Sequence, residues 1–218
     1  MTTRAQLRAT IRSELNDSGG TPLWADALLN EYLAQAIRRY GEQIPEEASA
    51  TITVVADQAA YALPARFLAA IRLEQPDDTE RIGDPRHPWS YRVFAGQLML
   101  DPAPTQAGSD QNVTLDYLRW YAEPTADGDA LATPSQDDDV LVALVCARAL
   151  AELATDESKR QRFERQRGAD PREAAASYER RAAERLTLRT RRIRTGALVS
   201  THPGTPNPGP LQSTDPGP

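Results

Sequence analysis

The chain has 218 residues, 40% of them hydrophobic, with a formal net charge of −6. That is enough for one domain of ordinary size with a real core plus extensions, and no run approaches the roughly 20 consecutive apolar residues of a membrane-spanning helix. One cysteine, Cys146, and two histidines, His87 and His202, cannot assemble an internal disulfide or a zinc-type ligand set.

Thr3 and Gln6 stand at capping-box spacing, and Leu7, Ile11 and Leu15 follow at four-residue intervals until the Asn16-Asp17-Ser18-Gly19-Gly20 stop. The spacing predicts a short amphipathic helix over 3–16. The opening residues enter it without an apolar signal segment, so the chain is expected to stay in the compartment of its synthesis. A second helix is predicted over 24–44, with Leu28, Tyr32, Ala36, Tyr40 and Ile44 on one stripe and Leu29, Leu33 and Ile37 beside it. From residue 50 the period shortens and a β insertion over 50–122 is predicted. Residues 51–55 and 60–63 read as a first hairpin across Ala56-Asp57-Gln58, and 67–73 as a further strand. Pro76, Gly83, Pro85 and Pro88 mark a loop. Residues 91–94 and 97–100, joined at Ala95-Gly96, read as a tight hairpin, and 113–121 alternates as a last strand.

Helical periodicity returns at Asp137, with Val140, Leu141, Leu144, Val145, Ala147 and Leu150 turned inward, and predicts a third helix over 137–167. Asp170-Pro171-Arg172-Glu173 combines an N-cap acid, proline at the first helical position and an acid in the first turn, a specific start signal for a fourth. Its stripe of Ala174, Tyr178, Ala182 and Leu186 reads as too narrow for a core helix and suited to an arm laid against a partner. From Gly196 to Pro218 the composition is Pro-, Gly-, Ser- and Thr-rich, an extended tail over 196–218. The fold class expected is therefore α+β, mainly α: a helical bundle with an inserted antiparallel sheet, a long C-terminal helical arm over 156–195 and a Pro-rich tail.

Charge is strongly segregated. Residues 1–158 carry 12 basic and 25 acidic side chains, a net of −13, whereas residues 159–194 carry 13 basic and 5 acidic, a net of +8. An acidic body with a cationic arm suggests a protein that meets two different surfaces.

The residues together resemble the head-to-tail connector adaptors of tailed bacteriophages and related gene-transfer particles, over about residues 1–155. The resemblance is carried by Leu7-Arg8 to Leu15-Asn16, by Leu23-Trp24-Ala25-Asp26-Ala27-Leu28-Leu29, and by the segment from Thr53 through Tyr61, Leu63, Pro64 and Phe67 to Leu68. It continues in Phe94 to Leu100, Asp101, Pro102 and Pro104, and in the Asp137 helix that follows Tyr121-Ala122-Glu123-Pro124. It implies an adaptor domain over 1–155, a ring of about twelve copies beneath the portal protein, a downstream stopper or tail protein as second partner, and genomic DNA passing through the lumen without specific binding. It also implies location at the head–tail interface of the virion, and in the host cytoplasm during assembly. Ala25 departs from the family pattern, which often has a serine there to cap the second helix.

Catalytic chemistry finds no support in the sequence: there is no phosphate-binding glycine loop, no Gly-x-Ser-x-Gly elbow and no His-Glu-x-x-His. No enzyme and no cofactor are expected, and a hydrolase is the weakest reading. Asp137-Asp138-Asp139 could gather a hard cation, but reads more simply as favourable charge at a helix N-terminus. Asp77, Asp78 and Glu80 read as solvated loop acids. Trp89, Tyr91, Trp120 and Tyr121 could stack on bases, but as strand residues they read as core. Cys146 reads as a small buried apolar residue.

The arm is expected to dock on the portal through Arg172, Tyr178, Arg180, Arg181, Arg185, Leu186, Arg189, Arg191, Arg192 and Arg194, extended by Pro203, Pro206, Pro208 and Pro210. The alternative is a DNA-binding accessory or regulator that turns the same arginines on phosphates, against which the acidic body argues.

Overall fold

The structure is a computed structural model and describes residues 1–17, 22–74, 90–101, 103–104 and 112–199, with the backbone alone for residues 166–167 and 191–199. It is α+β and mainly α, 48% helical. Pro102, Trp89, the acidic loop at Asp77, Asp78 and Glu80, and the tail prolines Pro203, Pro206, Pro208 and Pro210 lie outside the described residues.

Helix α1 spans Arg4–Glu14 and opens on the predicted capping box, Thr3 and Gln6 each closing on the other's backbone N–H. Helix α2 spans Asp26–Gln43. Its N-cap, Ala25, offers no side-chain acceptor, and the missing cap is offset by Asp26 in the first turn. Trp24, just before it, is buried and donates from Nε1 to the Ala149 carbonyl at 3.3 Å.

The β module follows: β1 Glu46–Ile52, β2 Ala60–Ala62, β3 Phe67–Glu74, β4 Ser90–Phe94, β5 Gln97–Asp101 and β6 Val113–Arg119. Two three-stranded antiparallel sheets, ordered β1-β6-β3 and β2-β5-β4, enclose a core of Ile52, Val54, Tyr61, Leu98, Leu100, Val113, Leu115 and Tyr117. The insertion thus begins at Glu46, four residues earlier than predicted. The β4–β5 hairpin forms as expected, with Ala95 and Gly96 at φ 50° and 74° in its turn. The first predicted hairpin does not form: β1 pairs with β6, opposing Glu46 to Arg119 and Ile52 to Val113, and β2 pairs with β5. Long-range pairing wins because β6 offers alternating apolar partners on the buried face. The local turn is held instead by Asp57 N–H on the Pro104 carbonyl, and by the Tyr61 hydroxyl bonding to Gln58 and Val55 backbone atoms. Phe67 stacks on Tyr117 at 5.8 Å, Leu63 packs partly buried on the same core, Pro64 is half-buried and Asp101 is exposed.

A 3₁₀ turn at Ser135–Asp137 leads into α3, Asp138–Leu153, then α4, Glu157–Arg167, and α5, Pro171–Val199. The predicted third helix is therefore two helices. Asp156 breaks it, because its carboxylate accepts from Ser158 and Lys159 backbone N–H groups and starts a new helix. Helix α3 is apolar around almost its whole circumference, from Val140 to Leu153, and such a helix must be covered on more than one side. Helices α1 and α2 cover part of it and α5 covers the rest. Helix α5 is consequently a core helix over its first half, with Ala175, Ala182 and Leu186 buried and Ala174 and Tyr178 partly so. The reading of its stripe as too thin for a core is overturned: small side chains let α5 approach α3 closely, and the helical core runs well past residue 155. Cys146 lies fully buried in that core.

Candidate functional site

The bundle and the β module have separate cores and meet at a neck formed by residues 44–46 and 119–121. Arg119 pairs with Glu46 at 2.6 Å, and Trp120 N–H donates to the Arg66 carbonyl at 2.9 Å while the Arg66 side chain reaches back to the Trp120 carbonyl. Tyr121 enters the helical core against Tyr40, ring centroids 5.5 Å apart. Trp120 stays half-exposed and packs over Gly41. Between α2 and the neck opens a cleft of about 520 Å³, floored by Ile37, Trp120 and Tyr121 and rimmed by Arg38, Glu42, Arg66 and Glu123. Arg38 grips Glu123 in bidentate fashion at 2.6 and 2.9 Å. Of the four aromatic residues considered for stacking, Tyr121 is core and Tyr91 is half-buried against the β core, while Trp120 is half-exposed at the cleft.

The three aspartates at the start of α3 are not a free acidic patch. Asp137 is 6% exposed, accepts the Tyr40 hydroxyl at 2.7 Å and lies 3.2 Å from Arg189 Nε. Burial, then the Asp137 carboxylate, push the Tyr40 phenol far above its ordinary range. Asp138 accepts the Thr2 hydroxyl, and burial raises its carboxyl above the ordinary 3.8. Asp139 pairs with Arg185 at 3.3 Å. The expected helix-terminus charge is present, and two arginines of α5 answer it across the bundle.

A second cation set was missed in the sequence. Arg4, Arg8 and Arg12 stand one helical turn apart on α1 and are largely covered. Arg4 and Arg8 both bind Asp127 at 2.8 Å, and Arg12 binds Asp17 at 2.6 Å and Asp26 at 2.5 Å. Arg8, then Arg4, hold the Asp127 carboxyl down to about 2. Asp17, nearly fully buried, also accepts Leu23 and Trp24 backbone N–H groups, so this set ties α1 to the start of α2 and to the loop before α3. The four-residue Arg spacing was the visible signal; its distant acceptors were not.

The residues expected to form one docking arm fall into three groups. Leu186 is in the core, Tyr178 is half-buried and donates to Glu14 at 3.1 Å, and Arg185 and Arg189 face Asp139 and Asp137. Arg172, Arg180 and Arg181 are exposed on α5. Arg191, Arg192 and Arg194 continue the same helix.

Two separately cored modules thus join at one neck, with a cationic helix laid along the bundle. Residues 2–203 match the family model described as SU10 adaptor protein, and the chain belongs to that family, a phage head-tail adaptor family. The match takes in the bundle, the β module and α5 together, beyond the residues 1–155 that carry the resemblance in the sequence. Membership implies a structural, non-enzymatic role, location in the virion, and interaction with portal and tail proteins. No helix among the described residues is long and apolar enough to cross a membrane. No curated protein matches the chain.

Proposed function

We propose that the chain is the head-to-tail connector subunit that forms a ring beneath the portal, links the capsid vertex to the tail and lets DNA pass through the lumen. The observation that carries this reading is the family match across residues 2–203, since it spans both modules and the cationic helix as one unit. Subunits pack side by side, about twelve in number as the first resemblance suggested, in a cyclic arrangement that uses two different faces of each copy. The exposed face of α5, with Arg172, Arg180 and Arg181, docks on the portal. Arg191, Arg192, Arg194 and the tail prolines Pro203, Pro206, Pro208 and Pro210 extend that contact. The β module is presented toward the stopper or tail protein. An acid-rich body at −13 over residues 1–158 suits a wall along which DNA slides, because it offers phosphates little to grip.

The test is portal binding by a variant with Arg172, Arg180 and Arg181 changed to Glu. These side chains are exposed, so the fold is retained, and binding weakens with the steep salt dependence of a charged contact. Unchanged portal affinity refutes the docking assignment. Truncation is informative only from residue 200, since removing 170–218 would strip Ala175, Ala182 and Leu186 from the core. A DNA-binding accessory is the second reading, favoured by the 13 basic residues over 159–194. Salt-dependent binding of the isolated chain to duplex DNA would support it.

A further inference from the structure

We propose that neighbouring copies lock together by seating the Phe94 tip of one subunit's β4–β5 hairpin in the neck cleft of the next. The inference rests on the ring reading and names its contact. Phe94 leaves 65% of its surface in water, with Val93 beside it also exposed. One exposed apolar residue is ordinary on any protein, so the argument lies in its setting and its complement.

The setting is stiff. Ala95 and Gly96 both take left-handed backbone angles, the two-residue turn that matches strand twist and holds a hairpin end rigid. The Arg92 guanidinium lies over the Phe94 ring at 5.8 Å, which steadies the ring and sets a positive charge at its side. The complement is the neck cleft, with an apolar floor of Ile37, Trp120 and Tyr121 and a volume of about 520 Å³, roomy enough for a phenyl ring and an attendant guanidinium. Its rim carries Glu42, which is exposed and makes no ion pair among the described residues, and Glu123, which is already held by Arg38. An incoming Arg92 therefore meets Glu42 while Phe94 covers Trp120.

Placement supports a side-by-side contact. Ala62 opposes Gln97, and the short link from Ala62 to Phe67 brings the chain back to the neck, where Phe67 opposes Arg119. The tip and the cleft are thus separate patches, since none of the tip residues lines the cleft of its own chain. Rotation about a ring axis carries a subunit onto its neighbour without changing its height, so a cyclic contact must join two different patches at one level.

Four variants test the contact, all at exposed positions, so helicity and melting temperature should match the parent. Phe94→Ser should weaken each contact on the order of 30-fold, as loss of an aromatic anchor at an interface centre does, and abolish rings on the portal in electron micrographs. Arg92→Glu should do likewise in part, and Arg92→Glu with Glu42→Arg should restore assembly. The pair Arg92→Cys and Glu42→Cys, which keeps the Phe94 anchor, oxidised on the assembled particle, should give a ladder at multiples of the 24.0 kDa chain on a denaturing gel. Unchanged rings with Phe94→Ser, or a cleft cysteine that couples to the portal or a tail protein instead, would overturn this contact and leave the ring reading standing. Absence of any ring with the parent chain would overturn both.

Discussion

Replacing Leu186 by Ala decides whether α5 belongs to the bundle. Leu186 is 2% exposed and lies in one buried cluster with the apolar residues of α3, Val140 and Leu144 among them. The substitution removes three carbons at about 0.8 kcal/mol each, roughly 2.4 kcal/mol of transfer free energy. The space left between two long helices closes only partly, which lifts the expected loss to about 3 kcal/mol. For a chain of this size that is a fall in melting temperature of about 6–12 °C, read from the helical dichroism signal on heating. Arg181→Ala, on the exposed face of the same helix, should stay within about 0.5 kcal/mol of the parent. If Leu186→Ala melted within 2 °C of the parent, α5 would be a detachable arm and the packing argument from α3 would be wrong.

Asp137→Ala should cost roughly 2–4 kcal/mol in urea unfolding, because it leaves the Tyr40 hydroxyl without its acceptor and the Arg189 guanidinium without its ion-pair partner. Tyr40→Phe, which removes one bond of that set, should cost about 1 kcal/mol. Gly41→Ala should be neutral or stabilising by up to about 1 kcal/mol, since a Cβ there would meet Trp120 no closer than 3.4 Å and the helix gains a better former. Asp127, held at about 2 against an ordinary 3.8, contributes stability that is present above the ordinary value and is lost as pH falls from about 4 to about 2. The double change Arg4→Gln and Arg8→Gln returns that carboxyl to its ordinary range, so melting temperature should decline less steeply over that interval than in the parent. Asp138 runs the other way: its carboxyl is raised by burial, so its contribution is greatest below pH 3.8 and shrinks as pH rises past it, and Asp138→Asn should flatten that trend.

The elements that could be read directly are those whose signals are local. The Thr3–Gln6 capping box, the α2 stripe, the Ala95-Gly96 turn and the Asp170-Pro171 start each lie within a few residues and appear in the structure where they were expected. The failures are non-local. The partnership of β1 with β6 joins Glu46 to Arg119 across most of the β module, and nothing in residues 51–63 says that their neighbour is another strand altogether. The burial of α5 follows from the surface of α3, since a stripe of Ala174, Tyr178, Ala182 and Leu186 is narrow only until it meets a helix that is apolar all round. The Asp156 cap was visible in Asp156-Glu157-Ser158 and was masked by continuous helical propensity on both sides. The candidate surfaces divide the same way. Segregated charge and the arginines of α5 stand in the sequence, whereas the pairing of Arg185 and Arg189 with Asp139 and Asp137, and the cleft beside Trp120, exist only once α2, α3, α5 and the neck come together.

The central claim, that the chain is an adaptor subunit assembled on the portal, is tested most directly by electron microscopy of the full chain mixed with its portal protein. The account predicts a closed ring of this chain stacked coaxially on the portal, with the outward face of α5 at the junction. Portal particles with no added layer, beside free monomers, would contradict it.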